Sequence, residues 1–239
     1  MKKYFLILLL IPVLAMSQTK NIVTSNRLFS INDKAAEFEK NLANHAQKYH
    51  TGDVKWKVWS IQSGPDAGGY MVTEGPSSWD ILDGRGEIST EHTDDWVKNV
   101  LPLTEGQGQS AYSEFQPDLS TVQLTDYADK IVITHIITKP GMPLKVKGLI
   151  TKLKKVWESE KVSVAVYSTA VSGDPGYIIV TRLKGGLKEL TTGYRKPFPE
   201  SYNAIYGAGA YDVYLKDFAE SVQNRWTELL IYKPELSSK

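Results

Sequence analysis

Two stretches of this chain repeat one design, and that constrains the fold more than anything else in it. Ser63-Gly64-Pro65-Asp66-Ala67-Gly68-Gly69-Tyr70-Met71-Val72-Thr73 is matched by Ser172-Gly173-Asp174-Pro175-Gly176-Tyr177-Ile178-Ile179-Val180-Thr181. Each reads as a strand end, a Gly/Pro/Asp turn and a new strand opening at Tyr. A second match follows in the same order. Phe115-Gln116-Pro117-Asp118-Leu119-Ser120 corresponds in type to Tyr232-Lys233-Pro234-Glu235-Leu236-Ser237, with a one-residue slip at the aromatic. Two matches in the same order imply duplication of one supersecondary unit.

The periodicities within each half agree. In the second half, Lys130 to Ile137 is β-branched and reads as a buried strand. After the Pro140-Gly141-Met142-Pro143 turn, Val146, Leu149, Ile150, Leu153, Val156 and Trp157 fall on one stripe of a helix whose other faces carry lysines. Val162, Val164 and Val166 begin a strand by alternation, and Tyr177 to Arg182 is its hairpin partner. Tyr211, Tyr214, Leu215, Phe218 and Val222 mark a second helix, and Leu229 to Tyr232 a closing strand. The first half repeats the order: a strand over 22–31, a helix behind Asn32-Asp33, a hairpin from Val54 to Thr73, a short helix around Trp96, and a strand from Ala111 to Phe115. The expected fold class is therefore α+β: two tandem ferredoxin-like βαββαβ units with antiparallel sheets, forming a single-chain pseudo-dimer. The unit boundaries are expected at residues 18–120 and 121–239.

Residues 1–17 read as a cleavable export signal. Lys2 and Lys3 precede an apolar run from Tyr4 to Met16, too short for a spanning helix, and Ala15-Met16-Ser17 offers small residues for cleavage before Gln18. A secreted or periplasmic location is expected. With no cysteine there is neither disulfide nor thiolate chemistry. The formal net charge is +1, and losing Lys2 and Lys3 with the leader makes it −1. Without a basic block, nucleic acid is not an expected partner. No later segment is apolar and long enough to read as a transmembrane segment.

The duplicated βαββαβ order resembles the dimeric α+β barrel superfamily. Thr134-His135-Ile136-Ile137 before Lys139-Pro140-Gly141, and Asn224-Arg225-Trp226-Thr227-Glu228 before Leu229-Leu230-Ile231-Tyr232, are similar to the stress-responsive α/β barrel branch. The resemblance implies a range of activities: cofactor-free monooxygenases, polyketide cyclases, haem-degrading enzymes, haem peroxidases and members without known activity. Cyclase-type members pair a first-strand His with a second His on a late helix. His135 matches the first, and the second half has no other His. Haem-degrading members use Asn, Trp and His, for which Asn26, Trp96 and His92 supply the residue types in reversed order.

No complete catalytic set is present: there is no Walker-type loop, nucleophile elbow or His-Glu-x-x-His. His92, among Glu91, Asp94 and Asp95, reads as an acid-rich helix start, and His45 and His50 as structural. No metal site and no cofactor are expected. Tyr202 and Tyr206, four residues apart near Tyr194, Phe198 and Tyr211, could line a cleft with His135. His135, Tyr202 and Tyr206 are thus the expected ligand-binding residues, and the catalytic residues stay open. The leading expectation is an exported soluble protein with non-catalytic binding of a small hydrophobic or planar ligand, or a structural role. A homo-oligomer is also compatible with the sequence. The alternative is a cofactor-free monooxygenase or haem-related enzyme of the resembled superfamily.

Overall fold

The computed structural model describes residues 19–106 and 108–239. The expected leader over residues 1–17 and its cleavage before Gln18 lie outside the described residues. The first half runs β1 (Ile22–Leu28), α1 (Ala35–Tyr49), β2 (Trp56–Ile61), β3 (Tyr70–Ser77), α2 (Trp79–Arg85), α3 (Thr90–Asp95) and β4 (Gln109–Phe115). The second runs β5 (Lys130–Thr138), α4 (Pro143–Ser159), β6 (Val164–Ala170), β7 (Gly176–Arg182), α5 (Phe198–Tyr206), α6 (Ala210–Ser221) and β8 (Val222–Tyr232).

The eight strands form one closed antiparallel barrel in the order β1-β3-β2-β8-β5-β7-β6-β4. Two separate four-stranded sheets would leave four bare edges. Instead β2 pairs with β8 and β4 with β6, so every edge finds a partner. The antiparallel sheets expected of the two halves are thus joined edge to edge into one barrel.

Each strand alternates between the lumen and a helical layer. On the outer side, α1 packs Phe38 and Leu42 against Val58, Tyr70 and Val72. The expected stripe on α4 is buried over Ile136, Val164, Val166 and Ile179, and α4 is bounded by Pro143 at its first turn. On the inner side, Trp59, Ile61, Met71, Ile131, Ile133 and Leu230 form one cluster, and Phe115, Leu124 and Ala165 another.

The repeated segments take matching places. The glycine-rich turns join β2 to β3 and β6 to β7, and 3-10 turns at Pro117–Leu119 and Pro234–Leu236 follow β4 and β8. Ser120 and Ser237, just past these turns, accept hydrogen bonds from Val166 N and Val58 N, each at 2.9 Å.

Local differences from the sequence reading have local causes. Strand β1 stops at Leu28 because Asn32–Lys34 winds into a 3-10 turn, and Asn32 caps no helix. The short helix around Trp96 begins earlier, at Thr90, with Ser89 Oγ accepting from His92 N, and continues as a π-turn over Trp96–Val100. Helix α2 is an addition to the expected elements. Its signal is Ser78, whose side chain accepts from Ile81 N.

Candidate active site in the barrel lumen

Lumen-facing positions are mostly apolar, and a cavity of about 110 Å³ opens among them, lined by Val23, Ile131, Ile133, Ile178, Val180 and neighbours. At one end stands a buried charged group. Strand β1 delivers Arg27, β5 delivers His135, and β8 delivers Glu228, whose side chain is fully buried. Arg27 grips Glu228 with both terminal nitrogens, Nη1 to Oε2 at 2.8 Å and Nη2 to Oε1 at 2.5 Å. His135 Nε2 lies 2.9 Å from Glu228 Oε1. Its ring stacks on Trp226 at 3.7 Å, the residue opposite it in the β5–β8 ladder.

Burial alone would raise the Glu228 carboxyl. The hydrogen bonds from His135 and Arg27, with the Arg27 charge, outweigh burial and hold it below the ordinary carboxylate range. An ionised carboxylate only accepts, so His135 Nε2–H must be the donor, which leaves the imidazole lone pair on Nδ1. The carboxylate thus fixes the tautomer of a lumen histidine. Room for Glu228 comes from the first repeated turn. Gly64 has φ +96°, and a Cβ there would stand 2.9 Å from the Cβ of Glu228.

The segment joining the halves also lines the cavity, through Leu124, Tyr127 and Ala128. There Lys57 Nζ lies 3.9 Å from the Tyr127 ring centroid, and burial pushes its ammonium down. Arg182 is bound to Gln123 O and sits 3.3 Å from Asp126. Tyr167 is pushed up to about 12 by burial. The side chain of Trp59 also lines the lumen, and its indole Nε1 is buried with no acceptor in reach.

The three expected ligand-binding residues do not converge. His135 lines the lumen. Tyr202 and Tyr206 lie on α5 in the outer layer. Tyr202 packs its ring on Tyr206 and Tyr214, at 4.8 and 5.2 Å, and Tyr206 Oη donates to Lys152 O on α4. These tyrosines join helix to helix, and the barrel wall separates them from His135. Glu228 and Arg27 are site residues that the sequence reading missed. Their signal is a charge at the same strand parity as inward apolar residues, Arg27 four residues after Val23 and Glu228 two before Leu230.

Asn26 and His92 share a second cavity, of about 210 Å³, with His50, Trp56, Glu74 and Arg85. His92 Nε2 lies 3.2 Å from His50 Nε2, and His45 Nδ1 lies 2.8 Å from Asp95 Oδ2. Burial pushes His45 and His92 down.

No protein-family model matches the sequence, and no curated protein is similar to it. Solved structures do share its shape. A protein from Fusobacterium nucleatum named as a monooxygenase superposes with a TM-score of 0.54 at 13% identity, over 88% of this chain and 91% of that one. The fold is that of the dimeric α+β barrels. An anthrone oxidase-like protein gives 0.54 at 12% identity, covering 90% of this chain and 92% of its own. A mutant chlorite dismutase from Candidatus Nitrospira defluvii gives 0.53 at 7% identity, covering 92% and 94%. These dimeric α+β barrels carry the names of enzymes. That finding goes against the leading expectation of a non-catalytic binding or structural protein and favours the enzyme alternative.

A haem does not fit either cavity. His135 Nε2 is committed to Glu228, and His92 Nε2 faces His50. The cavities, about 110 and 210 Å³, fall below the roughly 300–1,000 Å³ typical of pockets for drug-sized ligands.

Proposed function

We propose that this chain is a cofactor-free monooxygenase acting on a small, single-ring phenolic substrate held in the barrel lumen. The observation that carries the reading is the lumen His135, held through Nε2 by the buried carboxylate of Glu228. This is the arrangement of a general base with its orienting partner. The lumen cavity, about 110 Å³, is somewhat smaller than the roughly 150 Å³ of an apolar cavity that accepts benzene, so a single ring is the largest substrate that it suits and the walls must yield slightly to admit it. Trp59 Nε1 would donate to a substrate oxygen.

The chemistry needs only the substrate and dioxygen. His135 Nδ1 takes the phenolic proton, and the resulting electron-rich anion passes an electron to dioxygen. The radicals combine at a ring carbon, and loss of water leaves a carbonyl there. With hydroquinone the balance is one hydroquinone and one dioxygen giving one hydroxyquinone and one water. One oxygen atom enters the ring and the other leaves as water, carrying away two of the substrate's hydrogens. The substrate supplies every electron that reduces dioxygen. The buried Arg27–Glu228 pair keeps the carboxylate ionised, so the imidazolium formed in the first step is paired at once.

The test is hydroquinone turnover under ¹⁸O-labelled dioxygen. The reading expects one labelled atom in the hydroxyquinone product and loss of turnover in His135→Gln. Absence of oxygen uptake by the folded protein, or full activity in that variant, would overturn it.

We also propose that the barrel arose as two tandem ferredoxin-like units, 18–120 and 121–239, nearest to the stress-responsive branch in the Thr134-His135-Ile136-Ile137 strand. The matched roles of Ser120 and Ser237 support the duplication. Both seams close within one chain, so a homo-oligomer would add contacts without being needed to build the lumen. Among the described residues no helix is long and apolar enough to cross a membrane. Export by the leader and a secreted or periplasmic location complete the proposal.

A further inference from the structure

Outside the lumen, the helical layer of the first half gathers three of the chain's four histidines. His45 lies on α1, His50 ends that helix, and His92 lies on α3. One nitrogen from each lies within 4.8 Å of the others. We infer that His45, His50 and His92 bind a divalent transition-metal ion, zinc or a metal of similar preference, through their Nε2 atoms.

The hydrogen bonds assign the nitrogens. His45 Nδ1 is held by Asp95 Oδ2 at 2.8 Å, and His50 Nδ1 by the Val54 carbonyl at 3.2 Å. A carboxylate and a carbonyl only accept, so both Nδ1 atoms carry protons and both Nε2 atoms present lone pairs. A carboxylate or carbonyl behind the imidazole is the support that metal-ligating histidines use to fix their tautomer and orientation. His45 is completely buried, and its Nε2 has no hydrogen-bond partner. An acceptor left so in a protein interior is destabilising. A bound cation satisfies it.

Distances and surroundings agree. His50 Nε2 and His92 Nε2 stand 3.2 Å apart. Zn–N bonds of about 2.0–2.1 Å in a tetrahedron put neighbouring nitrogens roughly 3.3 Å apart, so one edge is already at length. His50 stacks on Trp56 at 3.5 Å, and Trp96 stands edge-on to Trp56, which confines the rings to small rotations. His50 and His92 also line the 210 Å³ cavity that reaches Thr24, Asn26 and Arg85. With His45 buried behind them and His50 and His92 facing this polar cavity, a fourth position is left for water or an anionic oxygen, the arrangement of a catalytic rather than a structural ion. The inference is independent of the lumen reading and is tested without any turnover.

The experiment uses the full chain without a histidine tag, stripped with chelator and titrated with Zn²⁺ by calorimetry. A parallel Co²⁺ titration follows the visible d–d bands. One equivalent bound at micromolar Kd or tighter, with intense tetrahedral Co²⁺ bands, is expected. His92→Ala, at the partly exposed ligand, should keep the fold by circular dichroism and weaken Zn²⁺ at least 100-fold. Asp95→Asn, behind His45, should weaken it about 10- to 100-fold. Failure of Zn²⁺ to bind below millimolar concentration, or unchanged affinity in a folded His92→Ala variant, would overturn the inference.

Discussion

Ser120 and Ser237 do the same work at opposite seams of the barrel. Each hydroxyl accepts from a buried strand amide of the other half, Val166 N and Val58 N, and each donates at 2.8 Å to the carbonyl of the residue before its Pro, Gln116 and Lys233. The two halves therefore latch each other reciprocally. Ser120→Ala or Ser237→Ala leaves a buried amide without an acceptor and should cost about 1–3 kcal/mol. The sites share no partner, so urea titrations of the singles and the double should show additive losses.

The helical layer of the second half makes a second prediction. Leu149 and Leu153 are buried against the sheet on the α4 stripe. Replacing either by Ala should cost about 2–5 kcal/mol, measured as a fall in the urea midpoint. A midpoint unchanged in both variants would show that α4 covers no core.

Acid stability follows from Glu228. Its folded pKa lies below the ordinary 4.5. The stabilisation from ionisation is therefore complete above that value and is lost as pH falls through the lower folded value. Glu74 and Asp95 are lowered as well, burial opposing and hydrogen bonds prevailing, and add to the same slope. Glu228→Gln strands the Arg27 cation and should cost about 3–5 kcal/mol at neutral pH. Its stability should fall less steeply than that of the parent between pH 5 and pH 3. Equal slopes would remove Glu228 from the acid response.

Much of this is legible in the sequence. The glycine turns and the Pro-x-Leu-Ser ends mark the hairpins and strand exits because turn chemistry is local, and the Val146 to Trp157 stripe identifies α4 because one face must be apolar. The closure of β2 on β8 and β4 on β6 is not legible, since edge pairing depends on register between segments far apart in the chain. The site is legible only at His135. Glu228 reads as an ordinary strand residue until the β1 and β5 neighbours bring Arg27 and His135 to it. Tyr202 and Tyr206 mislead because an aromatic pair at helical spacing serves a helix interface as readily as a cleft. His45, His50 and His92 lie 5 and 42 residues apart along the chain, so only the packing of α3 on α1 assembles them.

The central claim is that His135, poised by Glu228, is the base in the barrel lumen. The most direct measurement is oxygen consumption with hydroquinone across pH for the parent protein and His135→Gln, with folding confirmed by circular dichroism. The account predicts steady oxygen uptake by the parent protein. It also predicts at least a 100-fold lower rate in His135→Gln at every pH. Comparable rates in the folded variant and the parent would contradict it.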